Sequence, residues 1–529
     1  MNKHSSSLKI SNPGARPSSA SPSAALKAAL FATGLSGIVA EYILSTLASY
    51  FLGDSITQWT LTVSVMLFAM GLGSGLSRFI RFYLLDAFLV IELVLSMLAA
   101  FSALLVYASS AFSPYTGILI YTLSIAIGML IGMEIPLVTR MNEEYQSLRV
   151  NIAGVLERDY FGSLIGGLFF AFVGLPYLGM AYTPFILGSL NFAVAVWLYF
   201  RLKDRVPMRN GRTLPAGGLI SGLLLIAGLS QAEPILLHSE QRHFKDKVVL
   251  QKQSRYQRIV MTEWKGHHWL YLNRNLQLST IDEFLYHEPL VHPVMQLTPA
   301  PERVLVLGGG DGCAAREILK HPSVKSITVV DLDPVMTSLA RKHPVFLAFN
   351  DSAFLHPKVE VINEDAFGFL KKASSQYDVI IADLPDPKGV DLNRLYTLDF
   401  YQRCYDLLAR DGHFITQAGS PYYATRAFRC IDTTVQAAGF ASLRMHNQVL
   451  SMGEWGWIIG SKSLPPPLLK QRSRQLQFQD IPTRWLNHEA MGQMSRFGKL
   501  WNDQQPVEIN TIQQPKLYRY YLQGNWDLY

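Results

Sequence analysis

The chain has 529 residues, 49% of them hydrophobic and 16% charged, with a net charge of +7 at pH 7. That is too long for one ordinary domain, and too apolar for an average soluble protein or for a disordered one. Its three cysteines, Cys313, Cys404 and Cys430, are too few for a disulfide scaffold and too widely spaced for a zinc site. Residues 1–235 carry only 25 charged side chains, whereas the remaining 294 carry 62. Two different solvents are implied.

Residues 1–24, rich in Ser, Pro and Ala, read as a flexible tail. Apolar stretches follow at 28–52, 57–77, 83–108, 116–139, 160–179, 181–200 and 216–232. A helix needs about 20 apolar residues to cross the hydrocarbon core, so 25–235 is expected to form a bundle of about six or seven spans. The first stretch is too long for a signal-peptide core and should stay in the chain. Small residues recur within spans, as Gly71, Gly73 and Gly75, and again as Gly162, Gly166 and Gly167. They would let helix backbones approach closely. Basic residues cluster in the N-terminal segment, at Arg78/Arg81, at Arg140/Arg149/Arg158 and from Arg201 to Arg212. That alternation places the N-terminus in the cytoplasm. A strict seventh span at 216–232 would then put the second half outside; a re-entrant or interfacial segment there would not. The expected location is the cell (inner) membrane, multi-pass, with the second half preferred in the cytoplasm. Glu41, Glu92 and Glu134 fall within or at the ends of spans. Such carboxyls are candidates for a proton or cation relay, or for contacts with a neighbouring helix.

From 236 the pattern changes. Residues 247–280 alternate as short antiparallel strands, giving a small β-domain over 236–300. Arg303–Leu307 is a buried strand running into Gly308-Gly309-Gly310-Asp311-Gly312; a helix over Ala314–His321 and a strand Ser326–Asp331 follow. Further strands are expected at Val359–Ile362, Tyr377–Ala382 and His413–Gln417, with helices between them. The fold class is therefore a multi-pass α-helical membrane bundle, a small β-domain and an α/β Rossmann-like doubly wound parallel sheet over 301–463, ending in a tail over 464–529.

The glycines lie where the first strand of that sheet turns into a helix, so backbone can approach a ligand at the helix N-terminus. Asp331, about 20 residues on, is placed for ribose hydroxyls. No Gly-Lys-Ser/Thr follows, which disfavours a phosphate loop. Asp311 inside the glycine turn would repel a pyrophosphate and favour a cationic nucleoside such as a sulfonium. Three more segments stand out: Asp365-Ala366 after the third strand, Asp383-Leu384-Pro385-Asp386-Pro387 after the fourth, and Tyr286-His287-Glu288 opening an amphipathic helix. Taken singly, Asp365 could be a helix N-cap, Asp386-Pro387 a turn and His287 a satisfied helix histidine.

Over roughly 245–460 the sequence resembles the spermidine/spermine synthase family, the polyamine aminopropyltransferases. Matching segments are Tyr256-Gln257, Gln277, Asp282-Glu283 with Tyr286-His287-Glu288, Val304–Gly312, Val330–Asp333, Asp365-Ala366, Asp383–Pro387, Phe400-Tyr401 and Gln417–Pro421. The hydrophobic half, and the tail with Val507–Asn510 and Tyr518–Tyr521, are similar to the membrane-bound branch. The resemblance implies transfer of an aminopropyl group from decarboxylated S-adenosylmethionine, a co-substrate rather than a resident cofactor, to a diamine such as putrescine, without a metal. It assigns Gln257, Asp331, Asp365, Ala366, Gly308 and Gly310 to the donor nucleoside. Tyr286, His287, Asp311 and Asp386 fall to the amine, and Asp383 to proton acceptance. Departures flank the acceptor side: Asp331 stands where Glu is usual, Leu272-Asn273-Arg274 for Leu-Asp-Gly, and Leu384-Pro385 for small hydroxyl residues. Small-molecule substrates and the lipid bilayer are the expected partners, with no nucleic acid, and a homo-oligomer is left open. A methyltransferase on the same sheet, or a transporter or sensor whose second half binds a nucleoside or polyamine, remain competing readings.

Overall fold

The computed structural model describes residues 22–53, 55–113, 115–143, 147–203, 209, 213–498 and 506–526. Nearly all of the expected 1–24 tail lies outside the described residues, as do Arg205 and Arg212. Two compact units are formed. One takes the described residues up to Leu47 with Leu61–Gly174 and Met180–Leu236; the other takes Ala48–Thr60, Leu175–Gly179 and everything from Leu237.

The first unit is helical: α1 (Pro22–Leu52), α2 (Ser55–Leu76), α3 (Leu84–Ser110), α4 (Thr116–Asn142), α5 (Leu148–Phe169), α6 (Gly179–Leu202) and α7 (Leu214–His243). Among the described residues, six helices are long and apolar enough to cross a membrane, Leu148–Leu202 counting as one run of 55 residues. Straight, that run would reach about 80 Å, far beyond the roughly 30 Å of hydrocarbon. It is interrupted by a π-helical stretch, Phe170–Leu178, containing Pro176. Val155 from its start shares one apolar cluster with Leu198 and Leu202 from its end, so the run doubles back. The 216–232 stretch lies within one continuous helix of 30 residues, α7. Close helix approach is real at some of the expected small residues. A Cβ on Gly73 would collide with the Met129 carbonyl, and one on Gly162 with that of Phe31, whereas Gly71 and Gly75 face open space.

In the second unit, β1 (Lys247–Gln253), β2 (Arg258–Trp264), β3 (His267–Leu272) and β4 (Asn275–Ser279) form an antiparallel meander in sequence order. Helix α8 (Phe284–Leu297) leads into β5 (Arg303–Gly308), α9 (Cys313–Leu319), β6 (Ser326–Asp331), α10 (Pro334–Lys342), α11 (Pro344–Phe349), β7 (Val359–Asn363), α12 (Ala366–Lys372) and β8 (Tyr377–Asp383). Then come α13 (Val390–Asn393), α14 (Leu398–Leu407), β9 (Leu408–Gly419), α15 (Thr425–Ala437), β10 (Ala441–Val449) and β11 (Gly453–Ser461). The sheet order is β10-β11-β9-β8-β5-β6-β7. Five strands are parallel, as expected, and an antiparallel hairpin, β10–β11, that the sequence reading did not include extends one edge. Alternate residues of each strand feed two cores: Val304 and Val306 with Ile381 on one face, Leu305 and Leu307 with Ile380 on the other. Burial of both faces explains the unbroken apolar strands.

The direction of winding reverses between β5 and β8, which opens a crevice at their carboxyl ends. Two expectations change. Helix α8 is buried almost all round rather than amphipathic, because Glu288 accepts the backbone N–H groups of Arg484, Trp485 and Leu486. The described residues of the 464–529 tail form helices α16 (Pro466–Ser473), α17 (His488–Met494) and α18 (Lys516–Leu522), with Leu517, Tyr520 and Tyr521 buried.

Candidate active site

The glycine turn leaves β5 at the crevice. Gly308, Gly309 and Gly312 have φ of 86°, 67° and 89°, a region that favours glycine. A Cβ on Gly308 would run into the Asp383 carbonyl, and one on Gly310 would stand 2.5 Å from an Asp331 carboxylate oxygen. Each glycine thus admits a neighbouring strand end. Asp331 closes β6 and accepts the Asp333 N–H at 2.9 Å. Burial, with the charges of Asp333 and Asp311, pushes its carboxyl up to about 7, although backbone hydrogen bonds work the other way. Gln257 donates to Asp333 at 2.9 Å, which ties the β-meander to this edge.

Asp383 ends β8, half-buried. Tyr286 donates to its Oδ1 at 2.7 Å. Burial, seconded by Asp311, lifts Asp383 to about 6 against the opposing pull of His287 and Tyr286. Asp386 faces elsewhere: it accepts from Tyr521 at 2.8 Å and from Gln417 at 3.4 Å, and its charge acts on Tyr286 and Tyr396.

His287, Asp311 and Asp383 offer atoms that all lie within 4.8 Å of one another. Burial would lower His287, but the hydrogen bond and charge of Glu283, with Asp311 and Asp383, hold it up at about 9. At neutral pH it is an imidazolium whose Nδ1 donates to Glu283 at 2.9 Å. Glu283, despite its burial, is kept down at about 2 by His287 and by Arg316, 2.8 Å away. Glu283, His287 and Cys313 also converge closely enough to ligate an ion. The donor set does not fit one: His287 and Glu283 are spent on each other and on Arg316, and burial pushes the Cys313 thiol well up, away from thiolate.

Tyr286, His287, Asp311, Asp383, Asp331 and the glycines therefore meet at one edge, and Asp386 borders it. Asp365 stands apart. It caps α12 through Gly368 at 2.8 Å, as its N-cap alternative anticipated, and pairs with Arg394 at 2.6 Å. Ala366 begins that helix, buried. Sequence reading assigned no role to Glu283, Arg316, Tyr396, Gln417 or Tyr521. Gln417 and Tyr396 hold the loop after Asp383, Gln417 donating to the Leu384 carbonyl at 2.8 Å and Tyr396 to that of Pro385 at 2.9 Å. Tyr521, from the final helix, is expected to orient Asp386. Under the amine role that the resemblance implies for Asp386, Tyr521→Phe is expected to raise the KM for the amine about tenfold, in line with a hydrogen bond to a charged group, while the KM for the nucleoside stays put. Steady-state kinetics with each substrate varied checks the split.

A doubly wound α/β domain with an acidic pocket at its switch point is the class of protein these features define. The model of the spermine/spermidine synthase domain matches residues 283–466. The polyamine aminopropyltransferase of Leptospira interrogans is 38% identical over 487 residues, 92% of this chain and 95% of that protein. Polyamine aminopropyltransferase 2 of Aquifex aeolicus is 39% identical, covering 95% and 99% of the two chains. A crystal structure of spermidine synthase in complex with the transition-state analogue AdoDATO aligns at 29% identity over 48% of this chain and 86% of its own, with a TM-score of 0.44. This chain belongs to the polyamine aminopropyltransferase family.

Proposed function

We propose that the protein moves the aminopropyl group of decarboxylated S-adenosylmethionine to putrescine, giving spermidine and methylthioadenosine. The observation that carries this reading is the convergence of Asp383, Asp311 and His287 beside a glycine turn. The reaction is a displacement: the amine nitrogen bonds to the methylene beside the sulfonium, the carbon–sulfur bond breaks, and the electron pair leaves on a neutral thioether. One proton must leave the nitrogen. An ammonium has a pKa of about 10 and a free Asp about 3.9, a mismatch of roughly 6 units or 8 kcal/mol. With Asp383 lifted from 3.8 to about 6, about 2 of those units, near 3 kcal/mol, are removed. The sulfonium lowers the amine further, and holding the two reactants in line contributes more than base strength.

In this reading Tyr286 fixes the Asp383 carboxylate, Asp386 anchors the far ammonium, and Gln257, Asp331, Gly308 and Gly310 receive the nucleoside, with Asp365-Ala366 near adenine. Incubation of the purified protein with decarboxylated donor and putrescine tests it. Methylthioadenosine release supports transfer, methylation of the amine supports the methyltransferase alternative, and binding without turnover supports a sensor. Ordinary S-adenosylmethionine carries an additional carboxylate, which an acid-lined pocket repels. Asp311→Asn is expected to reduce discrimination against it by about tenfold, roughly 1.4 kcal/mol. Competition between the two donors measures this, and unchanged selectivity would remove repulsion by Asp311 as the cause.

The six apolar helices support membrane association, in the cell membrane. Its face is decided by fusing a fluorescent protein that matures only in the cytoplasm, or alkaline phosphatase, after Tyr529. Fluorescence gives the cytoplasmic placement preferred from sequence. Phosphatase activity gives the outward one, which seven passes with a cytoplasmic N-terminus require.

A further inference from the structure

The interior of the helical unit holds a group of carboxyls that the transfer reaction does not use. Glu92 on α3 is fully buried, and neither of its carboxylate oxygens has a hydrogen-bond partner. Glu134 on α4 is 2% exposed; one of its oxygens is also unpartnered, and Thr33 on α1 reaches the carboxyl. The two carboxyls act on each other, and the Asp159 carboxyl on α5 acts on Glu134. A neighbouring donor is equally idle. Ser96, one turn along α3 from Glu92, donates to the Gly188 carbonyl on α6 at 2.7 Å. Asn191, the next turn of α6, accepts the Ser36 hydroxyl at 2.5 Å, yet its own Nδ2 meets no acceptor despite 1% exposure.

We propose that Glu92 and Glu134, with Asn191 beside them, form a proton-binding site inside the helical unit. An ionised carboxylate buried without donors is far costlier than a protonated one, so the resting occupant is a proton taken from water. A metal ion needs several ligands around it, and among the described residues no third carboxyl, histidine or cysteine converges with Glu92 and Glu134 closely enough to complete such a shell. Arg140, the basic group of α4, is engaged elsewhere, donating to the Ile80 and Ser77 carbonyls at 2.8 and 2.9 Å. The facing titratable groups are Glu134 and Asp159, with Glu41 two turns further along α1. Loss of the proton gives Glu92 a charge that the free Asn191 amide can meet.

Infrared difference spectra of the full chain and of Glu92→Gln, both in lipid nanodiscs at neutral pH, test this independently of the transfer reaction. The expected result is a protonated-carboxyl C=O band in the parent that is missing from the variant and unchanged by added sodium or putrescine. Identical spectra overturn the proposal, as does a band that sodium or putrescine abolishes. Glu92→Gln mimics the protonated form, so its thermal midpoint should equal or exceed the parent's, with aminopropyl transfer retained. A variant that fails to fold, or melts clearly lower, would show that Glu92 is held as a charged, paired group and would equally overturn it.

Discussion

Asp383→Asn is expected to lower kcat by about 10² to 10⁴, the range for loss of a positioned proton acceptor, while binding of the nucleoside donor changes little. The amide keeps the shape of the side chain and can still meet Tyr286, so the loss falls on the chemical step. The pH profile adds a signature. Asp383 must be ionised to accept a proton, and burial places it at about 6, so kcat/KM should fall as pH drops through that value. In the variant this acid limb disappears with the residue. Stopped-flow measurement of methylthioadenosine release from pH 5 to 9 reads both effects. Equal turnover in parent and variant would remove Asp383 from the mechanism.

The second large effect is structural. Gly308→Ala places a methyl group on the Asp383 carbonyl, at a φ of 86° that L residues rarely adopt. The obstruction is backbone, not a flexible side-chain tip, so β5 and β8 must separate where the site is built. A cost of about 4 kcal/mol or more is expected, the range reserved for strain combined with overpacking. Urea denaturation of the purified chain measures it. A variant as stable as the parent would mean that the turn can open without disturbing the strand ends.

The strands that carry the acids were legible because each is a short apolar run closed by a polar residue. Ser326–Asp331 was placed without error, and β5, β7 and β8 within a residue. One failure has a plain cause: polar residues paired inside the protein look, in one dimension, like a solvent face. Helix α8, expected to be amphipathic, contains Glu288 and His292, yet Glu288 binds three backbone N–H groups and His292 pairs with Glu317 at 2.8 Å. The β10–β11 hairpin was missed because Gly456 and Gly460 interrupt a strand whose two faces are both covered. In the site, carboxylates at strand tips could be found from their positions. Their orienting partners could not: Tyr521 reaches Asp386 across 135 residues of sequence and Arg316 reaches Glu283 across 33, and no local pattern announces either contact.

The imidazolium of His287, paired with Glu283, still sets a positive charge beside Asp311 and Asp383 before any guest arrives. Admission of a positively charged molecule is consequently a trade of occupants, in which the ring must give up its hydrogen ion or retreat from the arriving charge. Alkaline conditions that empty the ring in advance ease that trade, so the empty protein competes with its own ligands most strongly when acidic.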